Sequence, residues 1–155
     1  MDTKTIQQEA QQKGNLEDFT YSFQSPKSSK EIYEMLLQLD KWWSGLYEET
    51  ITGQSKKLGD EFDFQAGGGM HYTKQKLVEL TPSKKVTWEV TDCNLQFVKK
   101  QDEWVGTQIS FEIEDLGTNR RITFRHLGLT PKFECYGNCA GAWTEYMNEL
   151  ERKLS

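Results

Sequence analysis

A chain of 155 residues sets one domain around one hydrophobic core as the expectation. With five tryptophans, 12% aromatic and 35% apolar residues, it carries too much bulky apolar mass to be disordered throughout. Nineteen basic against 24 acidic residues leave a net charge of −5, which argues against nucleic acid as a partner, because a phosphate-backbone binder carries a basic stripe.

Apolar runs stay short, as in Met35-Leu36-Leu37, against the roughly 20 residues a bilayer span needs, so no membrane helix is expected. The opening stretch MDTKTIQQEAQQKG has no apolar signal region, and a cytoplasmic location is the expectation. Three cysteines, Cys93, Cys135 and Cys139, are an odd number and fit free thiols in a reducing compartment.

Residues 1–16 are rich in Gln, Lys and Glu and read as a flexible leader; residues 17–155 read as the single domain. Phe19, Tyr21 and Phe23 alternate with Thr20, Ser22 and Gln24, the period of a half-buried strand, which Pro26 ends. Ser28-Ser29-Lys30-Glu31 has capping-box spacing and predicts a helix start. Ile32, Met35, Leu36 and Leu39 continue at helical spacing, with a second short turn holding Trp42 and Trp43 before Gly45.

From Tyr47 to Leu127 the pattern becomes short strands, with apolar parity at Phe62 and Phe64, at Val86, Trp88 and Val90, at Ile109, Phe111 and Ile113, and at Ile122 and Phe124. Polar residues hold the opposite parity, so one face of an antiparallel meander is dry and the other wet. Turns are expected at Gly67-Gly68-Gly69, Pro82-Ser83-Lys84 and Leu116-Gly117-Thr118-Asn119. A final amphipathic helix is expected to begin at Pro131, with Tyr136, Cys139 or Ala140, Trp143, Met147, Leu150 and Leu154 on its apolar stripe. Gly137 and Gly141 cost helix stability, so close packing or room for a ligand is expected there.

Several stretches carry a specific likeness: Gly59-Asp60-Glu61-Phe62, Leu80-Thr81-Pro82 with Lys85-Val86-Thr87-Trp88, and Glu103-Trp104-Val105-Gly106-Thr107. His126-Leu127-Gly128-Leu129-Thr130-Pro131, Glu134-Cys135-Tyr136, Cys139 and Trp143 complete it. Over about residues 17–155 the chain resembles the START-like, SRPBCC superfamily, in the branch named for the activator of the ninety-kilodalton heat-shock chaperone ATPase. The resemblance implies an α+β, Bet v 1-like helix-grip fold. In that fold a curved antiparallel sheet of about six to seven strands wraps a long C-terminal helix and encloses an apolar cavity, with a short helix pair after the first strand. Carriers, polyketide cyclases and chaperone regulators share the superfamily, so the fold restricts function only loosely.

His126 shares the parity of Ile122 and Phe124 and faces the covered side. It either ties the last strand to the helix, orients a ligand, or serves as an acid–base group. Cys135 and Cys139 lie one helical turn apart; small buried thiols is the leading reading, beside metal binding and redox chemistry. Asp92, at a strand end, is expected at the rim, and His71 beside the glycine run at the surface.

The leading functional expectation is non-catalytic binding of a small apolar or amphipathic molecule between sheet and helix. Trp88, Phe111, Phe124, His126, Tyr136 and Trp143 are the candidate pocket, joined by Phe62, Phe64, Cys135 and Cys139, with Trp42, Trp43 and Trp104 at its mouth. No cofactor and no metal are expected, and the chain is read as a monomer or homodimer. One alternative is a chaperone-regulating interaction module, for which exposed Trp42, Trp43 or Trp104 would speak. The other is a cyclase-like enzyme using His126.

Overall fold

The structure is a computed structural model that describes residues 17–155; the leader read over residues 1–16 lies outside the described residues. Its elements, in chain order, are β1 (Phe19–Ser25), α1 (Ser29–Leu36), α2 (Leu39–Trp42), β2 (Thr50–Gly53), β3 (Glu61–Ala66), β4 (His71–Thr81), β5 (Lys85–Leu95), β6 (Gln108–Asp115), β7 (Arg120–Leu127) and α3 (Tyr136–Lys153). The strands form one antiparallel sheet in the order β1-β7-β6-β5-β4-β3-β2, so consecutive strands β2 to β7 are neighbours and β1 returns to close against β7. This is the α+β helix-grip architecture, with the helix pair after the first strand and the curved sheet around α3.

Local chemistry sets each boundary. Ser28 accepts the Glu31 amide at 3.1 Å while the Glu31 carboxylate accepts the Ser28 amide at 3.2 Å, the reciprocal capping that starts α1. The inward side chains of β3, β6 and β7, among them Phe62, Ile109, Phe111, Ile122 and Phe124, are almost wholly removed from water. Against them α3 lays Cys139, Trp143, Tyr146, Met147 and Leu150. Burying each large apolar side chain contributes on the order of 1.5–3 kcal/mol, and α1 and α2 complete the cover, with Trp42 against Trp88 and Phe111. On the outer face Thr87 and Ser110 are buried too, and they satisfy each other through a 3.2 Å hydroxyl contact.

Three features depart from the sequence pattern. Gln75 pairs with Val90 and Lys74 with Asp92, so Thr91 is an extra residue in β5. Parity therefore flips: Asp92 is exposed, as its strand-end position suggests, and Cys93 turns inward. The last helix begins at Tyr136 and not at Pro131, because residues 131–135 form turns whose Glu134 and Cys135 amides are taken by the Glu103 carboxylate at 2.9 and 3.5 Å. Gly137 and Gly141 face solvent, and a Cβ built on either meets nothing within 4 Å, so close packing does not account for them.

Candidate ligand pocket

His126 is fully buried where β7 meets α3. The Trp143 indole N–H donates to its Nδ1 at 3.0 Å, and because an indole can only donate, the ring proton resides on Nε2. Nε2 then donates to Thr107 Oγ1 at 2.8 Å, and that hydroxyl donates to the Trp104 carbonyl at 2.7 Å. Burial, with the nearby His71 adding to it, drives the His126 pKa down to about 3, so the ring is neutral. Both nitrogens are occupied and the imidazole has nothing left to offer a ligand; it ties the last strand to the helix.

The open space lies elsewhere, beside the amino-terminal half of α3. There a pocket of about 400 Å³ opens between that helix, β3, the β3–β4 turn and the β5–β6 connection. Its walls are mainly aromatic: Trp43, Tyr47, Phe64, Phe97, Trp104, Trp143 and Tyr146, with Ala66 and Ala142 between them and the half-exposed Met70 also in the lining. Ring packing holds these walls in place, with Trp43 stacked on Phe64 at 4.2 Å and Trp143 tilted against Trp43 at 5.2 Å.

His71 is the imidazole of this pocket, and the expectation of a surface residue is corrected. It opens β4, half-buried, with its ring against Trp104 at 4.8 Å, Phe64 at 5.9 Å and Phe97 at 6.1 Å. Nδ1 is sealed from water without a hydrogen-bond partner; Nε2 is not sealed and pairs with no protein group, and the ring lines the pocket. Burial lowers its pKa to about 4, so this ring too is neutral at ordinary pH.

The wall carrying Tyr47 is pinned by one carboxylate. Glu49 accepts the amides of Gly45 at 2.7 Å, Leu46 at 3.3 Å and Tyr47 at 3.0 Å, and the Tyr146 hydroxyl donates to it at 2.5 Å. Burial pushes the Glu49 carboxyl up, but the Tyr146 hydroxyl and the surrounding amides more than reverse this and hold it below its ordinary value. Tyr47 in turn donates to Glu145 on α3 at 2.6 Å, and that bond, with burial, raises its pKa to about 12. No Lys or Arg side chain lines the pocket among the described residues.

All three cysteines are buried. The Trp104 indole donates to the Cys135 sulfur at 3.2 Å, the neighbouring Cys135 and burial push the Cys139 thiol up, and burial pushes Cys93 up to about 11. The Cys93 and Cys139 thiols, pushed toward their neutral form, are poor nucleophiles. Among the described residues, no group of three or more His, Cys, Asp or Glu side chains is placed to hold a metal ion.

Of the residues singled out from sequence, Trp43, Phe64, Trp104, Cys139 and Trp143 line the pocket. Trp42, Phe62, Trp88, Phe111, Phe124, His126 and Cys135 are buried in the solid part of the core, and Tyr136 is half-buried outside the lining. The sequence reading puts Phe97 at the mouth of the cavity but does not name Tyr47, Ala66, Gly67, Met70, His71, Asn138, Ala142 or Tyr146 as lining residues. Tyr146 lies three residues after Trp143 on the same helix, a spacing that places both on one face. Trp42, Trp43 and Trp104, whose exposure would speak for a protein-binding surface, are all buried.

Comparison with known proteins gives the architecture. No protein-family model matches the chain, and no curated protein matches it significantly. Among solved structures, the Aha1 dimer of Colwellia psychrerythraea, determined in solution, is 24% identical with a TM-score of 0.69, over 88% of this chain and 95% of that one. Protein NE0264 of Nitrosomonas europaea is 18% identical with a TM-score of 0.65, over 89% and 94% of the two chains. CalU16 of Micromonospora echinospora is 10% identical with a TM-score of 0.60, over 88% and 74%. These likenesses show the helix-grip fold described above.

Proposed function

We propose that this protein binds a small hydrophobic or amphipathic molecule, without transforming it, in the pocket between the sheet and α3. The observation that carries the reading is the aromatic-walled space of about 400 Å³ beside Trp43, Trp104 and Trp143, of the size and lining that small-molecule sites have. Binding without chemistry is supported by the state of the titratable groups. His126 has both nitrogens engaged, the Cys93 and Cys139 thiols are pushed toward their neutral form, and the two carboxylates nearest the rim are spent on tyrosine hydroxyls.

Native mass spectrometry of protein purified from its own host, against the same sample denatured, tests the reading. A reproducible excess mass released on denaturation is the expected result. A bare mass, together with no retention of small aromatic probes in dialysis, would overturn it.

A further inference from the structure

Within that pocket two side chains have hydrogen-bonding capacity unspent: the Trp43 indole N–H, which can only donate, and the His71 imidazole, which can both donate and accept. The His71 imidazole makes no hydrogen bond, with Nδ1 sealed and Nε2 left to the pocket among Phe64, Phe97 and Trp104. Nε2 is the nitrogen of this ring that an occupant can reach, and a hydrogen bond made to it between apolar walls contributes about 0.5–1.5 kcal/mol. The other polar groups at the walls are already committed or hydrated: Tyr47 and Tyr146 donate to Glu145 and Glu49, and Asn138 sits exposed at the edge.

The charge pattern narrows the occupant further. No lining side chain is a cation among the described residues, the imidazole is neutral, Glu49 and Glu145 stand behind the tyrosines, and the chain as a whole carries −5. A carboxylate drawn into these walls would lose its hydration and meet no countercharge.

We propose that His71 is the specificity residue of this pocket, selecting an uncharged planar aromatic molecule whose hydroxyl pairs with Nε2, and that the pocket rejects the corresponding carboxylate. A hydroxyl both donates and accepts, so it satisfies Nε2 in either tautomer, whereas a carbonyl or ether satisfies only the protonated one. Flat aromatic walls supply the affinity by area, and the single hydrogen bond supplies the discrimination. This inference rests on the pocket being a binding site, and its test separates the two.

The test is equilibrium dialysis of the full chain at pH 7.5 against three probes of one ring system: 2-naphthol, 2-methylnaphthalene and 2-naphthoate. Wild-type protein is expected to hold 2-naphthol about tenfold tighter than 2-methylnaphthalene, and 2-naphthoate weaker still by about tenfold or more. In His71→Phe the preference for naphthol over methylnaphthalene should vanish; in His71→Gln, which keeps a donor and an acceptor, much of it should return. Thr118→Ala, exposed in the β6–β7 turn and outside the pocket, should leave all three affinities as they are. Naphthoate binding as tightly as naphthol, or a naphthol preference that survives His71→Phe, would overturn the assignment to His71 while leaving the pocket a binding site. Retention of none of the three probes would overturn the binding reading itself. Should His71→Phe fail to fold, the wild-type ranking and His71→Gln still decide the matter.

Discussion

The Trp143 indole N–H meets His126 Nδ1 at 3.0 Å, and this one bond fixes the tautomer that lets Nε2 reach Thr107 at 2.8 Å. A helix, the last strand and the β5–β6 connection are joined through a neutral ring that no solvent touches. Thr107→Val removes the acceptor and leaves the Nε2 proton buried and unpaired, which should cost about 1–3 kcal/mol. Urea unfolding measures this cost, and probe affinity should hardly change, because neither Thr107 nor His126 lines the pocket.

Acid should weaken the fold through two kinds of group, whose windows overlap below pH 4.5. His71 and His126 have pKa values lowered from 6.5 to about 4 and about 3 by burial, so as pH falls below 6.5 the unfolded chain takes up protons that the native chain refuses. Stability therefore falls by up to about 1.4 kcal/mol per pH unit for each histidine, levelling off below the folded values. Glu49, held below 4.5, contributes stability that is present above 4.5 and lost as pH drops through its folded value. Denaturation at pH 6 and pH 5 should differ by about 2 kcal/mol, and His71→Phe should remove about half of that difference.

Glycines divide sharply between the exposed helix face and the turns. Gly137 and Gly141 have open space around a Cβ and ordinary helical backbone, so Gly→Ala at either should stabilise by about 0.5–1 kcal/mol, read as a rise in Tm. Gly53 has φ +121 and a Cβ would fall 2.5 Å from the Glu61 carbonyl oxygen, so Gly53→Ala should destabilise by more than either helix change gains.

Glu49→Gln should loosen the wall that carries Tyr47, since a neutral amide accepts the Gly45, Leu46 and Tyr47 amides more weakly than a carboxylate does. A loss of about 1–2 kcal/mol is expected by chemical denaturation, with faster amide exchange confined to residues 45–49.

Much of the fold was legible because its strands obey a simple period. Phe19, Tyr21 and Phe23 alternate, Pro26 stops β1, and Ser28 with Glu31 begins α1 as the spacing predicts. Legibility failed where a tertiary contact overrode the pattern. The bulge at Thr91 reversed parity for Asp92 and Cys93, and Glu103, from a distant loop, set the helix start that Pro131 appeared to mark. His71 was misread because three glycines before it suggest an exposed turn, while its burial comes from Phe97 and Trp104, far along the chain. His126 was correctly read as inward-facing. Which face of the core stays hollow depends on how five tryptophans pack against each other, and no local period records that.

The five indole N–H signals offer the most direct test of the pocket as the binding site. Trp43, Trp104 and Trp143 line it, while Trp42 bonds to the Leu36 carbonyl and Trp88 to Ser55 in the packed core beyond. In a proton–nitrogen correlation titration with 2-naphthol, the Trp43, Trp104 and Trp143 signals should move together along one saturating curve, with Trp42 and Trp88 nearly still. Equal movement of Trp42 and Trp88, or no movement of any indole at saturating probe, would contradict the account.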